Sequence, residues 1–412
     1  MAPRSVPSAR PVHAARSIPA TARVPLAARE LVAAAIVLAV GMGFGRFAYT
    51  GVYPLMVRDG IFTLTTGSWA ASANYAGYLL GAILVARAGP AQATAMCRLA
   101  LAGTVLGLLA MALSASPSVL IGVRFLAGAV SAIALVGVST WLFQVLDYMA
   151  GAPYMFAGVG VGIVVSAELI AVGNLAGWHS QRMWLVLGMA ACVLAAVAWR
   201  WVGRNTPVAS ETTKAASAAT VARSPSIDAW PLLIVYTLAG FGYIVTATYL
   251  PLFTRQALGN IDPIHVWAVF GLGAAPSCLL WHAIHQRVGT RMALGANLGL
   301  QLLGVLLPVL SHTPAAFLAS AILVGGTFMG TITIAMPAAR LAAQQVRFNI
   351  MAALVIGYGT GQILGPLVSD LLHARFGGFD APLWTAGGVL GVAVLGCAYP
   401  STGSAKPPAA SA

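Results

Sequence analysis

Charge is what this 412-residue chain has least of: 8% of its residues are Asp, Glu, Lys or Arg, and only nine are acidic. A water-facing domain carries about 25% charged residues, so most of this surface is not built for water. Cysteine is also sparse. Cys97, Cys192, Cys278 and Cys397 stand singly in apolar stretches, with no C-x-x-C pair, which excludes a zinc ribbon or a dithiol redox centre. No nucleotide-cradling glycine loop, no nucleophile with a matched base and no metal constellation marks an enzyme. Nor is any soluble stretch long enough for a catalytic or signalling domain, and no cofactor is expected. A net charge of +13 raises the question of nucleic acid, yet no basic, aromatic-laced face exists to follow a phosphate backbone.

What is abundant is apolar sequence, 59% of the chain. Crossing a bilayer core of about 30 Å takes about 20 apolar residues in a helix. Six runs meet that need in the first half, at about 31–55, 67–85, 96–113, 119–146, 154–178 and 183–202. Hydrophobicity then collapses, and six more runs follow at 230–253, 266–284, 293–310, 315–339, 350–372 and 383–399. The expected fold class is therefore an all-α integral membrane protein with twelve transmembrane helices. Its parts are a tail (1–29), a six-helix bundle (30–203), a linker (204–228), a second six-helix bundle (229–400) and a short tail (401–412).

Positive charge sets the expected orientation, because cytoplasmic connections of membrane proteins are enriched in Lys and Arg. Of the 22 Lys and Arg residues, Arg46 and Arg124 fall inside spans, and only Arg58, Arg182, Arg255 and Arg375 fall on one side. The rest lie on the side of the two chain ends, so both termini are expected in the cytoplasm of a multi-pass inner-membrane protein. The acid-free, Arg- and Pro-rich first 29 residues share their composition with organelle transit peptides. A disordered cytoplasmic tail is the preferred reading, since the apolar run after it is too long for a secretory signal.

The two halves echo each other. Gly43-Phe44-Gly45 through Pro54-Leu55 returns as Gly240-Phe241-Gly242 through Pro251-Leu252, each late in the first helix of its half. Arg87-Ala88-Gly89 returns as Arg287-Val288-Gly289, and Gly158-x-Gly160-x-Gly162 in the fifth span returns as Gly357-x-Gly359-x-Gly361 in the eleventh. Three echoes in order, at nearly the same separation, argue for duplication. Two six-helix repeats joined by a linker are the plan of the major facilitator fold, with substrate held near the midplane between the halves. Small residues let helix backbones touch in lipid, so Gly158, Gly162, Gly361, Gly365 and Pro366 are candidate gating or packing positions. Sliding during gating and plain close packing compete as readings.

Particular stretches also resemble one family. Gly41-Met42-Gly43-Phe44-Gly45-Arg46-Phe47-Ala48-Tyr49-Thr50 with Tyr53-Pro54-Leu55-Met56, then Asn74 through Ala82, then Gly361-Gln362-Ile363-Leu364-Gly365-Pro366, are similar to the YbfB/YjiJ family of major facilitator superfamily (MFS) transporters. The resemblance spans about residues 30–400 and implies a twelve-helix inner-membrane transporter. Arg124-Phe125-Leu126-Ala127-Gly128 resembles the superfamily's Arg-x-x-x-Gly motif, whose arginine is linked in relatives to proton coupling. The acidic and basic signature between the second and third helices is largely missing, since 87–98 holds no Asp.

Charges within spans are costly and default to functional hypotheses. At about 1.5 Å per residue, Arg46 and Glu168 lie roughly 21–24 Å from the inner ends of their helices. Arg124 lies roughly 8–10 Å from the outer end of an antiparallel helix, so all three are expected at one height, forming a substrate or proton-coupling cluster of net charge about +1. In one reading Glu168 protonates and releases an arginine, leaving the other for an anionic group. In the other, Arg46 and Glu168 are a fixed pair bracing the first and fifth helices. Tyr49, Tyr53, Asn74, Tyr75, Tyr78, Tyr243, Thr246, Tyr249, Tyr358 and Gln362 are candidate pocket residues, because a mostly apolar site takes its specificity from a few orienting polar groups. Asp147 and Asp370 are expected as solvated helix caps. His282 and His285 lack a third ligand, so no metal site is expected.

The expected function is proton-coupled secondary transport of a small organic solute by alternating access, with an organic anion slightly favoured and the protein acting as a monomer. An uncoupled facilitator is the alternative within the class. A membrane-embedded sensor or enzyme is the alternative outside it.

Overall fold

Long apolar runs in lipid have one open-ended way to satisfy their backbone, which is to stay helical throughout. The computed structural model describes residues 28–203, 227–254 and 262–398, and among them every long element is a helix. We number these α1 (Ala28–Arg58), α2 (Leu64–Leu84), α3 (Ala93–Leu113), α4 (Pro117–Val145), α5 (Ala152–Leu175), α6 (Ser180–Trp201) and α7 (Ala229–Phe253). A 48-residue helix, Pro263–Leu310, breaks at Gly289, whose φ of 78° no ordinary helix residue adopts. It therefore forms two elements, α8 (263–288) and α9 (290–310). Then come α10 (Pro314–Ala342), α11 (Ile350–Phe376) and α12 (Asp380–Ala398). What was expected of the first tail up to residue 27, of the linker between 204 and 226, of Arg255 and of everything after 398 lies outside the described residues.

Among the described residues ten helices are long and apolar enough to cross a membrane, one of them being the 48-residue run. Counting that run as two and adding α2 gives the twelve expected spans. The α2 sequence falls short of the hydropathy of the other ten because it carries Ser68, Ser72, Asn74, Tyr75 and Tyr78, several of which face the opposite half rather than lipid. Local signals set the ends. Thr63 and Thr66 form a reciprocal capping box before α2, and Asp262 and Asn349 accept from backbone amides at the starts of α8 and α11. Gly377, at φ 76°, closes α11 in the left-handed conformation. Side chains on the outer surface are large and apolar, with Leu113 86% and Leu175 78% exposed. That is a surface for hydrocarbon.

The glycine echoes carry the packing of the two halves. A Cβ on Gly158 or Gly162 would strike the backbone of Ala35 or Ala39 in α1, and one on Gly43 would stand 2.5 Å from Gly162 Cα. In the second half, Cβ atoms on Gly357 and Gly361 would strike Thr237 and the adjoining backbone of α7, and one on Gly365 would strike Ile244. The middle glycines point the other way. Gly160 abuts Gly271 and Ala275 of α8, and Gly359 abuts Leu79 of α2. Each GxGxG stripe thus packs its own half with its outer glycines and meets the other half with its centre. The structure is two pseudo-symmetric six-helix bundles.

Apart from Arg46 and Gln362, which bond near the midplane, the side-chain hydrogen bonds between the halves are one-sided among the described residues. Thr50 Oγ1 donates to the Ala247 carbonyl at 2.7 Å, Ser72 Oγ to Ile363 at 2.9 Å, and Thr65 Oγ1 to Asp370 Oδ1 at 3.1 Å. Ser68 bonds the Tyr249 hydroxyl at 2.7 Å, and Asn174 Nδ2 donates to Asp262 Oδ2 at 2.6 Å. All of these lie between the midplane and the side remote from Ala28 and Ala398. On that remote side the halves are closed on one another.

Candidate functional site

Between the halves, toward the side of Ala28 and Ala398, lies a cavity of about 240 Å³. Its walls come from α1 (Met42, Arg46, Phe47), α2 (Tyr78), α4 (Leu135, Ser139), α5 (Phe156), α7 (Tyr236, Tyr243), α10 (Phe328, Met329, Ile332, Met336) and α11 (Val355, Tyr358, Gly359, Gln362). Among the described residues Arg46 is the only charged side chain lining it.

The centre of α1 explains how an arginine is held there. Residues Ala39–Phe47 form a π-helical stretch, with the Ala48 amide reaching back to Gly43 O. Such wide turns tend to mark functional positions, and here Gly41, Gly43 and Gly45 let α1 press against α4, α5 and α3, respectively. Arg124 of α4 is buried against this stretch. Its Nη1 donates to Gly45 O at 2.9 Å and its Nη2 to Arg46 O at 3.0 Å, while its guanidinium sits 4.4 Å above the Tyr49 ring. Arg124 therefore braces the backbone that carries Arg46.

The Arg46 side chain is 4% exposed. Its guanidinium lies 4.1 Å from the Tyr78 ring centroid and 4.9 Å from that of Tyr75, an arrangement favoured by the aromatic quadrupole. Nη2 donates to Gln362 Oε1 at 3.0 Å, across to the other half. Gln362 in turn donates from Nε2 to the Tyr243 hydroxyl. Nε of Arg46 has no acceptor, and among the described residues no carboxylate reaches the guanidinium.

The aromatic wall comes from the second half. Phe328 and Tyr243 stack at 5.5 Å and 14°, Tyr243 and Tyr358 at 5.7 Å and 20°, and Tyr358 and Tyr236 at 4.6 Å and 28°. The four rings form one ladder along the cavity.

Of the residues expected from sequence, Arg46, Tyr78, Tyr243, Tyr358 and Gln362 meet at the cavity. The others stand beyond it on the closed side. Tyr49 donates to Gly67 O, Tyr53 to Leu64 O and Tyr249 to Pro366 O, and Tyr75 meets the Thr248 hydroxyl at 3.4 Å. Asn74 donates to Arg124 O at 2.8 Å, and the buried Thr246 hydroxyl has no partner among the described residues.

Glu168 corrects the expected charge cluster. It does not join either arginine. Its side chain is 47% exposed and its carboxylate meets His265 Nδ1 at 3.1 Å, a link between α5 and α8 and so between the halves. Position along α5 does not fix the direction around its axis, and Glu168 faces α8 rather than α1. Asp370, expected as a solvated cap, instead accepts from Thr65 across the interface. Asp147 lies at φ 50° in the turn after α4. Tyr236, Ser139, Phe328 and the methionines of the cavity were not anticipated. The seven-residue spacing of Tyr236 and Tyr243, two helical turns on one face, was an available signal for the first; Phe328 had none.

A family model described as "Uncharacterised MFS-type transporter YbfB" matches residues 38–397. No curated protein matches. Among solved structures, a point mutant of the nucleoside transporter NupG is similar to this chain with a TM-score of 0.64 at 14% identity, over 90% of this chain and 98% of that one. At that identity the likeness is one of fold.

Proposed function

The chain belongs to the YbfB family of MFS-type transporters, and from that premise we propose that it is a secondary active transporter moving a small organic solute by alternating access. The observation that carries this reading is the pairing of a cavity at the meeting of two related bundles with cross-half bonds that lie at the cavity itself or on one side of it. A site reached alternately from either side needs that asymmetry, since rocking the bundles exchanges which side is closed. The uncompensated Arg46 favours an anionic solute over a cationic one. The Lys and Arg bias favours an inner membrane with both termini in the cytoplasm.

Proton coupling is the finer part of the proposal. The Glu168–His265 contact joins the halves on the closed side. Opening that side separates the pair, and the half-exposed carboxylate, freed of His265, is the group proposed to carry the proton. Closing it again requires Glu168 to return to His265. Arg46 and Arg124 then hold the solute and the shape of α1, respectively.

Purified protein in proteoliposomes on a solid-supported membrane, challenged with a panel of small organic solutes under a pH gradient, tests the reading. A solute-dependent current or accumulation is the expected result. A solute that binds the protein yet never crosses the bilayer would mark a sensor and end the transport proposal.

A further inference from the structure

The cavity's two walls differ in chemistry, and the difference specifies an occupant. One wall, from the first half, presents a buried guanidinium with an unpartnered Nε and no carboxylate in reach among the described residues. A buried charge without a counter-charge is costly, and a carboxylate is the group whose acceptor oxygens match a guanidinium edge. The facing wall, from the second half, presents the ring ladder of Phe328, Tyr243 and Tyr358. Tyr243 and Tyr358 turn their faces to neighbouring rings of the ladder, so they present positively polarised edges, which favour the face of another flat ring over an aliphatic body of similar area. The volume, about 240 Å³, lies below the roughly 300–1,000 Å³ of sites for drug-sized ligands. Resting on the transporter reading, we infer that the solute is a small planar aromatic monocarboxylate, its carboxylate on Arg46 and its ring against Tyr243 and Tyr358.

Tyrosine faces also attract organic cations, but the faces of Tyr75 and Tyr78 already carry Arg46, whose charge repels a second cation. The bound acid has a further consequence. Arg46 is tied to Gln362 of the other half, so a carboxylate that draws the guanidinium away loosens a polar tie between the halves only when solute is present.

Equilibrium binding to the full-length protein in detergent, by calorimetry at pH 7.5, tests the inference without requiring flux. The probes are benzoate, its neutral analogue benzamide, cyclohexanecarboxylate, acetate and benzylammonium. Benzoate is expected to bind at least tenfold tighter than benzamide and several-fold tighter than cyclohexanecarboxylate. Arg46→Gln is expected to lose the preference for benzoate over benzamide, and Arg46→Lys to keep part of it. Tyr358→Leu is expected to erase the preference for the planar acid while leaving the preference for charge. Equal binding of benzoate and benzamide, tighter binding of benzylammonium, or no binding by any probe would overturn the assignment. The transporter reading fails separately. Thiols placed at Ser68 and Tyr249, which are buried and whose hydroxyls bond at 2.7 Å on the closed side, would then never react with a water-soluble maleimide, whatever binds in the cavity.

Discussion

Arg46 and Gln362, 316 residues apart in the chain, meet at 3.0 Å where the two bundles touch at the cavity. Gln362 is the only route by which the arginine's side chain is hydrogen-bonded to the second half among the described residues, and it also holds the Tyr243 hydroxyl. Replacing it with Leu leaves a buried donor unsatisfied, at a cost of about 1–3 kcal/mol, so Gln362→Leu should lower the Tm in detergent. Gln362→Glu sets a carboxylate against Arg46. That variant should keep its Tm and bind benzoate at least tenfold more weakly, because the internal acid competes for the same guanidinium; calorimetry reads the difference.

Arg124 holds two backbone carbonyls of the π-helical stretch. Hydrogen bonds to a charged group contribute about 1.5–3 kcal/mol each, and a lysine lacks the planar fork that reaches both. Arg124→Gln should lower the Tm by several degrees, and Arg124→Lys should recover only part of the loss. A Tm equal to the wild-type value in Arg124→Gln, followed by tryptophan fluorescence on heating, would mean that α1 keeps its shape unaided.

Glu168→Gln keeps the size of the side chain and removes its titration. Accumulation driven by a pH gradient should disappear in this variant, while solute exchange at equal pH continues. Undiminished accumulation would remove the Glu168–His265 contact from the coupling mechanism.

Asp59, in the turn after α1, receives the Ser180 amide at 2.6 Å at the start of α6 and Arg58 Nε at 3.0 Å. Partial burial opposes its ionisation, but the Ser180 and Arg58 contacts outweigh that and hold its carboxyl below the ordinary 3.8. A depressed carboxyl contributes stability that is present above 3.8 and lost as pH falls through the lower, folded value. Asp59→Asn should therefore lower the Tm at neutral pH, with the gap from wild type narrowing under acid. A gap that stays constant across the titration would show that ionised Asp59 contributes nothing.

Close packing of α5 on α1 leaves no room at Gly162, where a Cβ would lie 2.6 Å from Ala39 O, whereas Gly388 in α12 has nothing within 4 Å. Overpacking costs about 1–3 kcal/mol, and substitutions away from packed features stay within about 0.5 kcal/mol. Gly162→Ala should lose thermal stability and Gly388→Ala should not. If both behave alike, the glycine stripe is not a packing device.

Much of the fold was legible because the signals that encode it are local. Caps such as Thr63 and the stop at Gly377 act within a few residues, and the echoes at Gly43 and Gly240, or Gly158 and Gly357, needed only comparison of the chain with itself. The site was legible in part. A polar group at mid-span is conspicuous, which marks Arg46, Gln362 and Glu168 in the sequence, but nothing local points Glu168 to His265 rather than to an arginine. A helix that is apolar all round has almost no moment to tell its faces apart, so nothing in α5 distinguished a side chain facing α1 from one facing α8.

From the amino-acid sequence alone came the number of spans, the duplication and the presence of charge at mid-membrane, because satisfying a backbone in lipid depends on runs of about 20 apolar residues and not on their neighbours. Tertiary structure decided which charges stay unpaired, which rings form the ladder and which side is shut. Those properties belong to the rotation and approach of helices distant in the chain, set by glycine contacts whose partners lie up to a whole bundle away.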